Sequence, residues 1–344
     1  MLIKNNGLEG VIMDLKAIIA QSIVLKHQFG TPSDNSANKI SIGFGINVEF
    51  ARPMGACITS IAINNPELFL DFYILANSIE QDDLDRLKKL SAQFTNILIT
   101  VYTIDDAFIS HLPTQKHFPP PIYYRFFLPF ILRECDKLLY LDADILCLQE
   151  ISELLYLDLR KHSAAVVFDS SAVTPKHSKI LNLKHECYFN SGVLLINVPQ
   201  WLEQNISEKA ISLLSDRARN FRLPDQDALN LVLETDKIKL PKKWNHLSHM
   251  DNNYDIPKDT IFLHCTRRPK PWGLLCDKKT QAHQLYSHYE SLSPWSGLPL
   301  MPPTIPSDAR KGSKKFFSEG DICSGILWYC KYLKMKFIKS GPPV

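Results

Sequence analysis

Two aspartates separated by one residue, Asp142 and Asp144, stand where an apolar run near the middle of the chain ends. Alternate side chains of a strand point to the same face, so we expect both carboxylates on one side. Two like charges at that spacing are unfavourable unless a cation lies between them. Mg²⁺ or Mn²⁺ meets that need and commonly bridges carboxylates to phosphates. A D-x-D pattern alone is also compatible with a strand end whose acids face solvent.

A second group follows a later apolar run, which ends at His264 and leads into Arg267, Arg268 and Lys270. A histidine at the end of a strand can complete a metal site through one ring nitrogen. Lys270 and the two arginines offer positive charge to phosphate oxygens. Taken alone, the segment also fits a hydrogen-bonded histidine beside a basic surface loop. In combination with the D-x-D pair, it favours a site that binds a diphosphate together with a metal ion.

Two further polar clusters lie at the ends of predicted elements. Asn190 precedes a strand and is followed by Gly192, whose small size permits close approach of another group. Asp225, Gln226 and Asp227 open a helix. Acids in a first helical turn are also explained by the helix dipole, so this second cluster alone does not decide between structure and function.

The elements that must position these residues alternate between short apolar runs and longer helical patterns, as in an α/β fold. Several runs are apolar at consecutive positions, which indicates strands covered on both faces. We predict a mostly parallel, doubly wound sheet that binds its ligand beyond the carboxyl ends of the strands. The predicted strands are 41–46, 70–75, 97–104, 137–141, 164–168, 192–198 and 260–263, and the predicted helices are 80–94, 201–219 and 225–233.

Changes in composition and in the apolar pattern divide the chain into three parts. Residues 1–38 are predicted to form an N-terminal extension with one possible helix, and residues 39–293 the α/β catalytic domain. Residues 294–344 form a proline-rich linker and a basic tail with interleaved aromatic residues. Such a basic amphipathic segment is typical of a membrane-surface element, although a C-terminal helix packed on the body is the alternative.

Composition narrows the location and the partners. A net charge of +3 over 344 residues is too mild to indicate a nucleic-acid partner, and no known nucleic-acid-binding motif is present. None of the eight cysteines forms a C-x-x-C pair, which argues against structural zinc and fits a reducing cytoplasm. The beginning of the chain does not read as a secretory signal, and no apolar run is long enough to span a bilayer. We expect a cytoplasmic protein, peripheral on the cytoplasmic face of the inner membrane.

Five motifs occur in the order found in glycosyltransferase family 8, at 123–126, 140–144, 189–193, 224–227 and 264–272. The chain resembles the family, and within it the lipopolysaccharide glucosyltransferases of the bacterial outer core, from about residue 41 onward. The resemblance implies a GT-A-type (Rossmann-like) α/β fold and a divalent ion, Mg²⁺ or Mn²⁺. It also implies a UDP-hexose donor, a lipopolysaccharide core acceptor, and retention of configuration at the anomeric carbon.

The resemblance carries roles onto individual residues. It implies that Asp142, Asp144 and His264 bind the metal and that Lys270 contacts the diphosphate. It also implies that the catalytic residues, which act at the donor sugar, are Asp225 and Gln226. The other substrate-binding residues implied are Gly45, Ile46, Asn47, Glu49, Arg125, Ala143, Asp169, Asn190 and Arg267, together with Asp142. Because an amide is a poor nucleophile, we expect a front-face substitution in which Gln226 stabilises the cationic sugar, not a double displacement through a carboxylate.

The sequence departs from the family pattern at four places. Asn47, Glu49 and Phe50 stand where the family has aspartate, asparagine and tyrosine, and Arg267 replaces a glycine. The departures at Asn47, Glu49 and Arg267 keep open a catalytically weak or inactive nucleotide-sugar-binding protein. A nucleotidyltransferase is the third hypothesis, and the lack of a glycine-rich phosphate loop before the first helix argues against it.

Overall fold

The computed structural model describes residues 14–32, 38–113, 119–170, 173–216, 221–248, 256–266 and 268–338. The strands in these ranges are β1 (Ile23–Phe29), β2 (Lys39–Ile46), β3 (Phe69–Ala76), β4 (Ile97–Ile104), β5 (Lys137–Leu141), β6 (Ile145–Cys147), β7 (Ala164–Phe168), β8 (Phe189–Asn197), β9 (Lys237–Lys239), β10 (His246–Leu247) and β11 (Phe262–His264). The α-helices are α1 (Leu15–Ser22), α2 (Ala51–Asn64), α3 (Gln81–Gln93), α4 (Leu128–Ile131), α5 (Glu153–Tyr156), α6 (Thr174–Ile180), α7 (Val198–Glu203), α8 (Ile206–Ser215), α9 (Pro224–Val232), α10 (Gln281–Ser291), α11 (Pro306–Ser318) and α12 (Ile322–Ile338). Short 3₁₀-helices lie at Val48–Phe50, Asp106–Phe108, Pro120–Phe126 and Lys242–Trp244.

The main sheet has eight strands in the order β1-β4-β3-β2-β5-β8-β7-β9. Strands β4, β3, β2 and β5 run parallel to one another, and β7 runs parallel to β9. Strand β8 is antiparallel to both of its neighbours, and β1 is antiparallel to β4. The predicted α/β class is confirmed, with a mixed sheet in which parallel pairing prevails. Because β8 is reversed, its amino end lies at the same edge as the carboxyl end of β5.

Both faces of this sheet are covered, as the apolar runs predicted. In β5, Leu139 and Leu141 pack into a cluster that includes side chains of α2 and α3. Leu138 and Tyr140 point the other way, into a cluster with side chains of α8 and α9. The alternation along one strand therefore divides the core into two layers and leaves the strand ends as the place for polar residues.

A small second sheet, in the order β10-β11-β6, adjoins the main one. The chain leaves the main sheet at the end of β5 and, after three intervening residues, enters the small sheet, where β6 pairs antiparallel with β11. The sequence did not predict β6, β9 or β10, which have at most three residues each. Strands this short have too few positions for a periodic pattern to identify them.

Two segments differ from the sequence-based expectation. The helix predicted over 201–219 is two helices, α7 and α8, separated where Asn205 adopts a left-handed conformation with φ of 52°, which asparagine tolerates better than most residues. In the predicted N-terminal extension, α1 is followed by β1, which pairs with β4 and becomes an edge of the main sheet. The boundary at residue 38 stays a prediction.

Candidate active site

The D-x-D pair lies in the turn between β5 and β6, where the chain passes from one sheet to the other. The backbone N–H of Asp142 donates to the carbonyl of Gly192 at 2.8 Å. On the other side, the N–H of Cys265 donates to the carbonyl of Asp144 at 2.9 Å. The two carboxylates therefore point to the same side because hydrogen bonds fix the turn between β8 and the end of β11. The predicted reason, alternation along a strand, is wrong, since both aspartates lie in a turn.

This turn brings both acids to His264, whose Nε2 lies 3.0 Å from Oδ1 of Asp144 and 3.7 Å from Oδ2 of Asp142. One ligand atom from each of the three residues lies within 4.8 Å of the others. The structure thus brings together the metal ligands that the resemblance implied. Two carboxylates and one imidazole form a donor set suited to a divalent cation.

The tautomer of His264 is set by a chain of amides behind it. Asn245 donates from Nδ2 to Oδ1 of Asn190 at 2.9 Å, so its own Oδ1 faces Nδ1 of His264 at 3.0 Å. An amide oxygen only accepts, which places the proton on Nδ1 and turns the Nε2 lone pair toward the acids. A histidine that binds a metal needs this kind of support for its other nitrogen. The residues present therefore fit a divalent cation.

Lys270 approaches the same acids from the loop after β11. Its Nζ lies 2.6 Å from Oδ2 of Asp144 and donates to the carbonyl of Cys265 at 2.5 Å. Burial alone would raise the pKa of Asp144, but the positive charge of Lys270 and the contacts that Asp144 makes with Lys270 and His264 outweigh that effect and hold its pKa below the usual range. Asp144 is therefore ionised at neutral pH, as a metal ligand must be.

Gly192 brings the backbone of β8 close to two of the proposed metal ligands. A Cβ added to it would lie 2.3 Å from Cε1 of His264 and 2.7 Å from Oδ2 of Asp142. No side chain fits there without moving one of the ligands. The close approach that the sequence predicted for this glycine is present.

Arg125, on the 3₁₀-helix Pro120–Phe126, links the acids of the D-x-D turn to those of α9. Its Nη2 lies 3.0 Å from Oδ1 of Asp142, and its Nη1 lies 3.0 Å from Oδ2 of Asp225 and 2.6 Å from Oγ of Ser191. The guanidinium also lies over the ring of Tyr140, 4.5 Å from its centroid. Burial raises the pKa of Asp225, and the charge of Arg125 opposes that rise without cancelling it.

Gln226, the predicted catalytic amide, is held at both ends. Its Oε1 accepts from the N–H of Ser191 at 3.0 Å and from Nδ2 of Asn190 at 3.2 Å. Its Nε2 donates to the hydroxyl of Tyr188 at 2.9 Å, and that hydroxyl donates to Asp227 at 2.6 Å. Because a backbone N–H can only donate, the amide has one orientation. Sequence reasoning gave no role to Tyr188, Asp227 or Asn245, and Asn245 carries no pattern that would have singled it out.

The three potential metal ligands, Lys270, Arg125 and Gln226 line one cleft of about 630 Å³, a size typical of small-molecule sites. The predicted residues in its wall are Gly45, Ile46, Asn47, Arg125, Asp142, Ala143, Asp144, Asp169, Asn190, Asp225, Gln226, His264 and Lys270. Glu49 lies instead in the wall of a smaller adjoining cavity of about 60 Å³. Arg267 lies outside the described residues. Among those described, the buried Oδ1 of Asn47 has no hydrogen-bond partner and would accept a donor from a ligand.

The fold and the cleft define a class of protein. An α/β sheet carries, at the edge where β5 ends, a potential divalent-metal site, a lysine beside it and a cleft wide enough for a nucleotide. These are the features of enzymes that act on a phosphorylated small molecule with metal assistance.

Comparison with known proteins identifies the family within that class. The model of glycosyl transferase family 8 matches residues 41–276, and the model of the family 8 C-terminal region matches residues 282–336. The chain therefore belongs to glycosyl transferase family 8 and has the catalytic class of a nucleotide-sugar-dependent glycosyltransferase, as the motifs predicted.

Individual relatives agree with this assignment over most of their length. Lipopolysaccharide 1,3-galactosyltransferase of Salmonella typhimurium is 30% identical, covering 92% of this chain and 96% of the relative. Lipopolysaccharide 1,2-glucosyltransferase of Escherichia coli is 29% identical, covering 86% and 91%. The crystal structure of galactosyltransferase LgtC with donor and acceptor sugar analogues superposes with a TM-score of 0.62 at 20% identity, covering 76% of this chain and 98% of LgtC. The GT-A-type fold is thereby confirmed.

Proposed function

We propose that this chain is a retaining hexosyltransferase that moves glucose or galactose from a UDP-sugar to the outer core of lipopolysaccharide. The observation that carries the proposal is one cleft whose wall contains both a potential metal site and the fixed amide of Gln226. Two relatives of about this length carry the names of lipopolysaccharide hexosyltransferases and support the choice of acceptor.

We assign the divalent ion, Mg²⁺ or Mn²⁺, to Asp142, Asp144 and His264. When bound, such an ion supplies Lewis-acid stabilisation of the charge that develops on a departing diphosphate. Lys270 adds a positive charge from the chain itself at the same end of the cleft. Its contact with Asp144 supports this role, because it places the ammonium group beside a proposed ligand of the metal.

The other end of the cleft favours front-face substitution over double displacement. A double displacement needs a carboxylate free to attack the anomeric carbon. Asp225 is buried and paired with Arg125, and Oδ1 of Asp169 accepts the backbone N–H of Ser170 at 2.6 Å. Oε1 of Gln226 already accepts hydrogen bonds from Ser191 and Asn190. In this proposal the acceptor hydroxyl attacks on the face from which the diphosphate leaves, and the dipole of Gln226 stabilises the cationic sugar.

Asn47 is the residue to which we assign the nucleoside. It follows β2 at the edge of the cleft, and its buried Oδ1 needs a hydrogen-bond donor. The imide N–H of uracil or a ribose hydroxyl supplies one. The departure at this position therefore remains compatible with a uridine nucleotide. The resemblance also implied a substrate contact for Glu49, but Glu49 lines the small cavity and not the cleft. We therefore assign it no contact with the nucleoside.

The test of the function is turnover with a defined donor and acceptor. Purified protein with Mn²⁺ or Mg²⁺ and a truncated lipopolysaccharide acceptor should release UDP from UDP-glucose or UDP-galactose. Binding of UDP without turnover would favour the inactive homologue, and pyrophosphate-linked exchange would favour a nucleotidyltransferase. A Gln226→Ala variant that turns over at the wild-type rate would remove the assigned role of the amide.

We also propose that α11 and α12, which form the C-terminal hairpin, attach the protein to the cytoplasmic face of the inner membrane. None of the helices in the described residues is long and apolar enough to cross a bilayer. Four residues on one side of α12, at spacings of four, three and eight, form an exposed apolar face, with Ile322 62%, Ile326 53%, Tyr329 46% and Phe337 66% exposed. The hairpin has seven lysines and arginines against three acids, which suits anionic lipid.

Vesicle flotation tests the attachment. The wild-type chain should float with vesicles rich in anionic lipid, and less with neutral ones. Replacing Ile326 and Phe337 by serine should weaken flotation strongly, because it removes half of the apolar face without changing the charge. Serine in place of Tyr156, which is 78% exposed on α5, is the matched control and should leave flotation unchanged. Equal flotation of all three proteins would refute the proposal.

A further inference from the structure

The chain leading into the C-terminal hairpin holds the loop that carries Lys270. Gly273 and Met301 form a parallel β-bridge. The N–H of Leu274 donates to the carbonyl of Met301 at 2.8 Å, and the N–H of Met301 donates to the carbonyl of Trp272 at 2.9 Å. The phosphate-side loop is therefore bonded to a segment outside the sheet.

Helix α11 contacts the same loop directly. A Cβ added to Gly312 would lie 2.6 Å from Cδ1 of Leu275, so the helix backbone packs tightly on this part of the loop. In the first turn of α11, Asp308 is buried, and its Oδ2 lies 3.2 Å from Nη1 of Arg268. A carboxylate from the hairpin thus reaches an arginine two residues before Lys270.

Arg268 lies at the boundary between the two cavities. Its side chain lines both the 630 Å³ cleft and the 60 Å³ cavity, whereas Asp308 lines only the small cavity. Asp308 therefore holds the guanidinium from the side away from the cleft. A guanidinium has five N–H donors, so one carboxylate does not use up its capacity for a second anion.

The charges of the cleft leave a role for this arginine. The charged residues among the described part of its wall are the acids Asp142, Asp144, Asp169 and Asp225 and the bases Arg125, Arg268 and Lys270. Arg125 and Lys270 are each paired with acids of the cleft. Arg268 differs, because it forms an ion pair with Asp308, which does not line the cleft. Its charge is therefore not already matched by the acids that would bind the metal.

We propose that Arg268 binds the donor diphosphate and that Asp308 positions it, so that the C-terminal hairpin is part of the donor site. The inference rests on the proposed function, since it presumes a nucleoside diphosphate in the cleft. Lys270 serves the phosphate end nearest Asp144, and Arg268 serves oxygens nearer the small cavity. The hairpin thereby links the proposed membrane contact to donor binding.

Calorimetric titration of the full chain with UDP, in the presence of Mn²⁺, tests the two residues together. Arg268→Gln should weaken UDP binding by about tenfold, as loss of a charge-assisted hydrogen bond does, and Arg268→Lys should recover part of it. Uridine, which has no phosphate, should bind equally to all variants. Asp308→Asn should weaken UDP binding by roughly threefold, the scale of a partly exposed ion pair.

The double variant separates positioning from general damage. If Asp308 acts through Arg268, adding Asp308→Asn to Arg268→Gln should cause no further loss of UDP affinity. Glu319→Gln, an exposed carboxylate at the end of α11, is the control and should have no effect. Melting temperatures of all variants report whether each one folds.

Three outcomes would overturn the inference. They are unchanged UDP affinity in folded Arg268→Gln, additive losses in the double variant, and tighter UDP binding in Asp308→Asn, which would make Asp308 a competitor of the phosphate. The proposed function fails in a different way, because wild-type protein would then not bind UDP at all.

Discussion

Two parts of the cleft are built on different physical principles. The metal end comprises Asp142, Asp144, His264 and Lys270, and the sugar end is the surroundings of Gln226. At the metal end, Asp144 is paired with Lys270 and Asp142 with Arg125, so charged groups balance one another. At the sugar end, Gln226 exchanges neutral hydrogen bonds with Ser191 and Tyr188. Charge pairs can rearrange around an added ion, whereas a saturated hydrogen-bond network keeps its shape. The comparison indicates that a bound metal ion and diphosphate complete the metal end, whereas the protein alone fixes the shape of the sugar end.

The largest effect should follow from removing a carboxylate of the metal end. Asp142→Ala or Asp144→Ala should lower turnover by about a thousandfold, because the charge on the leaving group loses its stabilisation. UDP release with and without chelator measures this: the wild type should lose activity on chelation and regain it with Mn²⁺ or Mg²⁺. Glu153→Gln, which alters an exposed pair with Lys243, should behave as wild type. Turnover that survives complete chelation would show that the acids have another purpose.

Arg125 joins the two ends, so its removal should damage the fold as well as the activity. Arg125→Gln leaves Asp225 buried without its counter-charge, and the free energy of unfolding should fall by about 3–5 kcal/mol. Denaturant titration measures the loss. Lys243→Gln breaks a more exposed ion pair and should cost about 1 kcal/mol or less. Equal costs for the two substitutions would mean that burial of the Arg125 pair has no energetic consequence.

Much of this arrangement was predictable because it depends on residue type and local pattern. Consecutive apolar positions predicted six of the eight strands of the main sheet and β11 of the small sheet. Asp142, Asn190 and His264 lie at or beside the ends of these strands, as expected. The direction of β8 was not predictable, since antiparallel pairing leaves no mark on a buried strand. That direction is what brings Asn190 and Gly192 to the metal end.

Supporting residues escaped prediction for a related reason. Asn245 and Asp308 come from segments distant in sequence and act on His264 and Arg268 through single contacts. A contact between distant residues has no periodicity and no fixed spacing, so only the folded chain reveals it. The sequence therefore predicted the charged residues of short motifs, but it did not predict the residues that orient them.

Gly192→Ala tests the metal end without changing any ligand. The added methyl group would collide with His264 and Asp142, so metal affinity and turnover should fall about 10- to 100-fold, as when support of a metal ligand is lost. Titration with Mn²⁺ measures the affinity. Gly43→Ala on β2 is the control, because its Cβ would meet the side chain of Leu128, and it should cost stability but leave Mn²⁺ affinity unchanged. Normal Mn²⁺ affinity in Gly192→Ala would mean that the ligands tolerate displacement.

The smallest effect should come from Tyr188→Phe at the sugar end, and it is the sharpest test of a fixed amide. Losing the hydroxyl leaves Nε2 of Gln226 and a carboxylate oxygen of Asp227 without a partner, so kcat should fall by about tenfold. The KM for the donor should change little, because the amide acts on the transition state. Tyr73→Phe removes a like tyrosine–aspartate bond, to Asp71 on β3, and should lower stability without lowering kcat. If both substitutions left kcat unchanged, the network around Gln226 would serve the fold only, and the two ends of the cleft would not differ in the way proposed.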